Sequence, residues 1–196
     1  MTKPKRTRLS PEERRTQLLD VTQAVILEHG LNSFTMEVLA KAAGVSNPLV
    51  YKYFNTRLEL LQNLLKREYL RFYEHLISEL NKTNNFTEVV RIVVSVNFHE
   101  HSNGRIVPVL QKLSDVAVVL KDFEARANKK VARMLVETIR DKYDLSLEQA
   151  RMVAKAASGA SIAAAEYCKD TNADQEKCIA DTMAFIFGGL EGFNKA

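Results

Sequence analysis

The chain predicts an all-α fold, and three observations carry that prediction. Gly and Pro are scarce, 7 and 4 of 196 residues, which leaves little sequence for turns. Apolar residues recur at helical spacing along nearly the whole length. Helix starts and stops punctuate these stretches: Ser10, Thr35, Thr56 and Ser146 stand before them, Gly30 and Gly44 after. Apolar residues at 46% and charged residues at 27% suit a soluble globular protein, long enough for one compact domain or a small domain fused to a larger one.

The leader MTKPKRTR holds Lys3, Lys5, Arg6 and Arg8 and no acid. Such an arm, residues 1–9, suits phosphates or a minor groove, and equally suits a solubilising tail. Ser10-Pro11-Glu12-Glu13 then reads as a helix start, with a capping hydroxyl, Pro in the first turn and acids facing the positive end of the dipole. That helix runs to His29, where Gly30 ends it, and Leu18, Leu19, Val21, Thr22, Val25 and Ile26 form its core face.

Residues 35–54, TMEVLAKAAGVSNPLVYKYF, read as two short helices joined by a tight turn. Thr35 caps the first, whose Val38, Leu39, Ala42 and Ala43 share one side, and Gly44 supplies the left-handed stop. Val45 plugs the angle between them. Ser46 is the second cap, its hydroxyl placed to accept from free N–H groups of the next turn. The second helix, 47–54, is polar on one side. Helices meeting steeply across a short Gly-containing turn are the DNA-binding helix-turn-helix, whose second member enters the major groove. Phe54 belongs to the core of this unit, while Tyr51 and Tyr53 are read as facing DNA. Charge placement agrees: of 28 Lys/Arg and 24 Asp/Glu, nine and six fall in residues 1–60, so most of the basic excess lies there.

Thr56, three residues before Glu59, has a capping-box spacing and opens a long helix to about residue 81, with Leu61, Leu64, Leu65, Tyr69, Phe72, Leu76 and Leu80 in phase. A helix starting near Thr87 follows, apolar nearly all round; its β-branched residues make a strand the competing local reading, and helical neighbours decide for helix. Ser102-Asn103-Gly104 and Pro108 break the chain before one short helix. A long helix then spans 116–143, another opens at Ser146-Leu147-Glu148-Gln149 and runs to Lys169, and the last covers 174–193.

Little here points to catalysis. His99 and His101 flank Glu100, but residues two apart on a helix face apart, and the i, i+4 spacing of helical zinc ligands is missing. No nucleophile, base and orienting group recur at a recognisable spacing, so we expect no enzyme, no cofactor and no metal. Cys168 and Cys178 are expected to be reduced, partly buried thiols, with a redox switch the minor alternative. No apolar run approaches the ~18 residues of a membrane span and the basic start is followed by more charge, so no membrane partner and a cytoplasmic location are expected.

Residues 10–65 resemble the DNA-binding domain of the TetR/AcrR family of bacterial transcription regulators, on the Gly30 stop, the Thr35 to Gly44 helix, Val45-Ser46, Tyr51-x-Tyr53-Phe54, Thr56-Arg57 and Leu60-Leu61. The resemblance implies an all-helical homodimer of about nine helices: a helix-turn-helix domain over 10–55, then a ligand-binding and dimerisation domain over 56–196. By position it implies phosphate contacts from Thr35, Ser46, Tyr51, Tyr53 and Arg57, and base contacts from Asn47, Pro48, Leu49 and Lys52. The chemistry suits those roles: hydroxyls and a guanidinium fit phosphate oxygens, Asn pairs with adenine, Lys with guanine, and Leu touches a thymine methyl. Pro48 in place of a usual Gly and Leu58 in place of a usual Glu depart from the pattern, and Pro48 points to an unusual operator.

The last two helices show seams of small residues, Ala156, Gly159, Ala160, Ala163 and Ala164 in one, Ala184, Phe185, Gly188 and Gly189 in the other. Such seams admit a close helix and predict a four-helix dimer interface. Tyr69, Phe72, Tyr73, Phe98, His99, Phe123, Met134 and Tyr167 are candidates to line a pocket for a small hydrophobic or aromatic effector, though the same residues suit an ordinary core. The function expected is therefore a regulator of double-stranded operator DNA, most simply a repressor released by its effector. The rivals are a constitutive DNA-binding protein without a ligand and a small helical enzyme.

Overall fold

The structure, a computed structural model, describes residues 9–101 and 105–193, and describes side-chain surroundings for all of these except 122–131. The basic arm, apart from Leu9, and Ser102, Asn103 and Gly104 lie outside the described residues. The described residues form ten α-helices and no strand: α1 (Pro11–His29), α2 (Met36–Ala42), α3 (Asn47–Tyr53), α4 (Arg57–Leu80), α5 (Phe86–His101), α6 (Ile106–Gln111), α7 (Ser114–Ala117), α8 (Lys121–Tyr143), α9 (Leu147–Thr171) and α10 (Gln175–Phe193). Single 3-10 turns cover Leu31–Ser33 and Val118–Leu120.

The caps explain most boundaries. Ser10 and Glu13 form a reciprocal capping box on α1, and Ser146 and Gln149 form another on α9. The Thr56 hydroxyl accepts from Glu59 N at 3.0 Å, but the Glu59 carboxylate reaches Asn55 N at 2.9 Å instead of closing the expected box. Pro108 does not break the chain as its residue type suggests. It sits in the first turn of α6, where no N–H is needed. The long helix expected over 116–143 is divided into α7, a 3-10 turn and α8.

The buried residues fall into three clusters. One is built from α5, α8, α9 and α10, where the Phe86 ring meets Tyr143 and Phe187 edge-on at 5.6 and 5.9 Å and the fully buried Ser161 hydroxyl accepts from Asn97 Nδ2 at 2.6 Å. A smaller one lies between α4 and α5, with Leu76, Leu80, Val89 and Val96. The third holds α1 to α4 together through Leu18, Leu39, Val50, Phe54 and Leu60, and it also takes in Ile106, Val107 and Leu110 of α6 and Val116 of α7. The core around the helix-turn-helix therefore does not stop at residue 55.

Candidate nucleic-acid interface

Thr35 fixes the start of α2 by accepting from Val38 N at 3.2 Å. At the other end Gly44 adopts φ 63°, and Val45 N bonds Ala40 O while Gly44 N bonds Lys41 O, the paired bonds that close a helix with a left-handed residue. The buried face differs from the expected one. Met36, Leu39 and Ala40 point inward, whereas Val38 is 36% exposed and Ala42 is exposed. The i, i+3, i+4 set starting at Met36 sets the phase.

In α3, Val50 inside the helix and Phe54 just after it are fully buried, and these two anchors turn the opposite side outward. Ser46, Pro48, Tyr51 and Lys52 are exposed, with Tyr51 at 45%, and Asn47, Leu49 and Tyr53 are half-buried. Ser46 stands at the cap, but its hydroxyl makes no capping bond. Pro48 has no N–H to offer, and Leu49 N is taken by the Ser46 carbonyl at 3.0 Å. Asn47 carries a buried Oδ1 with no hydrogen-bond partner among the described residues. Bidentate pairing with adenine uses both amide atoms, so Asn47 needs a side-chain rotation before it reads a base that way. Lys52 makes no ion pair among the described residues.

Arg57, expected at a phosphate, is exposed and also bonds within the protein. Its Nε donates to Phe34 O and its Nη2 to Leu31 O, both at 3.1 Å, so the guanidinium ties the start of α4 to the turn between α1 and α2. Sequence reasoning passed over Arg15. Its Nη1 donates to Tyr53 O at 3.0 Å, its Nη2 to Asn63 Oδ1 at 2.7 Å, and its carbon centre lies 4.4 Å from the Phe54 ring. These partners stand 38 and 48 residues away along the chain, so no local pattern marks it.

The remaining candidates separate. Ala156, Gly159, Ala163, Ala184, Phe185, Gly188 and Gly189 are exposed, Ala160 and Ala164 are half-buried, and Phe185 reaches 72%. Most of this face of α9 and α10 is thus unused within the subunit. The eight pocket candidates do not share one cavity. Phe98 is fully buried with α9 and α10, Tyr69 is buried beside α1 to α4, Tyr73 and Met134 flank the α4–α5 cluster, and Tyr167 is 63% exposed. The side chain of Phe123 lies outside the described residues. Among the described side chains, Phe72 and His99 border a cavity of about 330 Å³ between α1, α4, α5 and α6. Burial pushes Glu100, at the edge of that cavity, up to about 7, against the opposing pull of Arg105. Desolvation, then the charges of Arg105 and His75, hold His99 below its ordinary value. Both cysteine thiols are free, and burial, with Cys178 beside it, raises Cys168.

Residues 18–64 match the sequence model of the bacterial regulatory proteins of the tetR family. Over 189 residues the chain is 26% identical to the HTH-type transcriptional activator FasR of Mycolicibacterium smegmatis, covering 93% of this chain and 85% of that protein. Its fold is similar to that of the fatty acid degradation regulator FadR from Bacillus halodurans, with TM-score 0.72 at 21% identity over 92% of this chain and 96% of the other. FadR from Bacillus subtilis, solved in complex with stearoyl-CoA, gives TM-score 0.66 at 17% identity over 87% and 96%. The segment matched by the tetR family model thus falls on α1 to α4, the helices arranged around the outward-facing α3, and over its length the chain is similar to regulators of that kind.

Proposed function

We propose that the protein is a cytoplasmic, homodimeric, sequence-specific DNA-binding regulator that represses transcription until a small hydrophobic or aromatic effector releases it. The observation that carries this reading is α3, anchored by Val50 and Phe54 and presenting Pro48, Tyr51 and Lys52 to solvent. Residues 10–55 would serve as the DNA-binding part with residues 1–9 as its basic arm, and 56–196 as the ligand-binding and dimerisation part. Asn47, Pro48, Leu49 and Lys52 approach base edges, while Thr35, Ser46, Tyr51 and Tyr53 approach phosphates. Ser46 suits that task because its hydroxyl has no capping bond to give up.

The exposed small-residue face of α9 and α10 supports a two-fold interface. A dimer also supplies what one short α3 lacks, since two reading helices about 34 Å apart engage successive major grooves of a near-palindrome. An apolar effector is supported by the Bacillus subtilis FadR complex, whose ligand carries a long acyl chain. Activation is a second reading, favoured by the name of the Mycolicibacterium smegmatis relative.

Selection from random duplexes with the purified full chain tests the proposal. Enrichment of a near-palindromic site bound by two subunits is expected, and no enrichment above random duplex would remove the DNA-binding reading. A reporter carrying the selected site then separates repression from activation by the sign of the change.

A further inference from the structure

The cavity between α1, α4, α5 and α6 is lined with more charge than a filled core needs. Its floor is apolar, with Val96, Ile106 and Val107 buried and Phe72 half-buried. Its wall carries Glu68, Arg71 and His75 from α4, His99 and Glu100 from α5, and Arg105 just ahead of α6. The contribution from α1, Gln23, is uncharged. Glu68 is already matched: its Oε1 accepts from Arg67 Nε at 2.7 Å and Arg71 Nη1 at 2.9 Å, on a side chain 13% exposed.

Arg105 and Glu100 are not matched in that way. The Arg105 charge bears on the Glu100 carboxyl, yet no ion pair joins them, and neither side chain forms a hydrogen bond among the described residues. A guanidinium with five donors and a carboxyl that carries a proton in its neutral form thus face one space, above an apolar floor. Arg67 and Arg71 are balanced by Asp20, 2.7 Å from Arg67, and by Glu68, so the cation left to attract an added negative charge is Arg105.

We propose that this cavity binds a small organic carboxylate, its oxygens held by Arg105 and the Glu100 carboxyl group, its apolar part resting on Phe72, Val96, Ile106 and Val107. A carboxylate accepts from both donors at once, and charge-assisted bonds of this kind are the strong ones. When Glu100 starts ionised, binding takes up one proton from solvent. Affinity therefore falls as pH rises through the Glu100 value of about 7. Facing Glu100 are also Glu68, Arg71 and His75 of α4, Arg105 ahead of α6 and His99 of α5, and His99 acts in the same direction, since it adds positive charge when protonated. A cationic ligand would show the opposite slope. The proposal rests on the ligand-responsive reading only for its consequence at DNA.

Calorimetric titration of the full chain with benzoate, benzamide and benzylamine tests it, because the three share a ring and differ in charge. Benzoate is expected to bind in preference to the other two, about tenfold more weakly at about pH 8 than at about pH 6, with proton uptake measurable from the buffer dependence of the heat. Glu100→Gln keeps a neutral donor, so it should retain benzoate binding at high pH and lose most of the slope, leaving only what His99 supplies. Arg105→Gln should weaken benzoate about tenfold or more while melting like the parent. No benzoate binding at millimolar concentration, equal binding of benzamide, preference for benzylamine, or an undiminished slope in Glu100→Gln would each overturn the proposal. Benzoate that binds as expected yet leaves operator affinity unchanged would keep the carboxylate site and remove its part in regulation.

Discussion

The Arg15 guanidinium closes the C-terminal end of α3 from outside it: Nη1 donates to the Tyr53 carbonyl at 3.0 Å while the group lies 4.4 Å from the Phe54 ring. A carbonyl at a helix end has no partner within the helix, and a cation there also meets the negative end of the dipole. Because Nη2 holds Asn63 of α4, one side chain links α1, α3 and α4. Arg15→Ala is expected to lower stability by about 1 to 3 kcal/mol and to weaken operator binding without touching DNA. Denaturant unfolding beside gel shift checks this, and unaltered stability would show the bonds to be idle.

Lys52→Ala and Asn47→Ala should each weaken binding to the selected operator by about 1 to 3 kcal/mol and relax preference at particular base pairs. Asn47 has a second signature. Its buried Oδ1 lacks a partner among the described residues, so Asn47→Ala should leave stability nearly unchanged or raise it. Competition with single-base operator variants reads the first effect and thermal melting the second.

Arg57→Ala is expected to act mainly on the fold. The bonds to Leu31 O and Phe34 O hold the turn that aims α2, and their loss should cost about 1 to 3 kcal/mol. Were Arg57 chiefly a phosphate contact, the variant would keep its melting temperature and show a shallower salt dependence of DNA binding. Melting curves and a salt titration on one preparation decide between the two.

Ala160→Arg with Gly188→Arg should give a folded monomer by light scattering that fails to shift the operator. Gly188 has open space where a Cβ would stand, so the change is tolerated within the subunit and any loss reports on what lies across the interface. A variant that stays dimeric and still binds would place the interface elsewhere.

Glu100 ties stability to pH. Its folded value of about 7 lies above the ordinary 4.5, so the unfolded chain gives up this proton first. Stability is therefore highest below about 4.5 for this group and declines until pH passes about 7. Allowing for partial solvent access, the decline is about 2 kcal/mol. Glu100→Gln should remove this part of the slope and melt higher than the parent at alkaline pH.

Local signals read well from the sequence. Ser10, Thr35 and Ser146 each cap the helix their spacing announces, and Gly30 and Gly44 take the positive φ that their type allows. The side of a seven-residue helix was harder: in α2 the alternative seams through Leu39 differ by one position, and only packing against α1 and α3 selects Met36 over Val38. Arg15 and Arg57 were illegible for another reason. Each acts on backbone carbonyls remote in sequence, and a carbonyl carries no residue identity to read.

Ile106, Val107 and Leu110 lie in the same apolar cluster as Leu18, Leu39 and Phe54. A fragment ending at α4 would expose the surface those three residues cover, and a separately expressed helix-turn-helix should behave as a leaky, partly open unit. Amide hydrogens in α1 and α4 should then exchange together with those of α6, at one common opening free energy, although more than 20 residues of chain separate α6 from the end of α4.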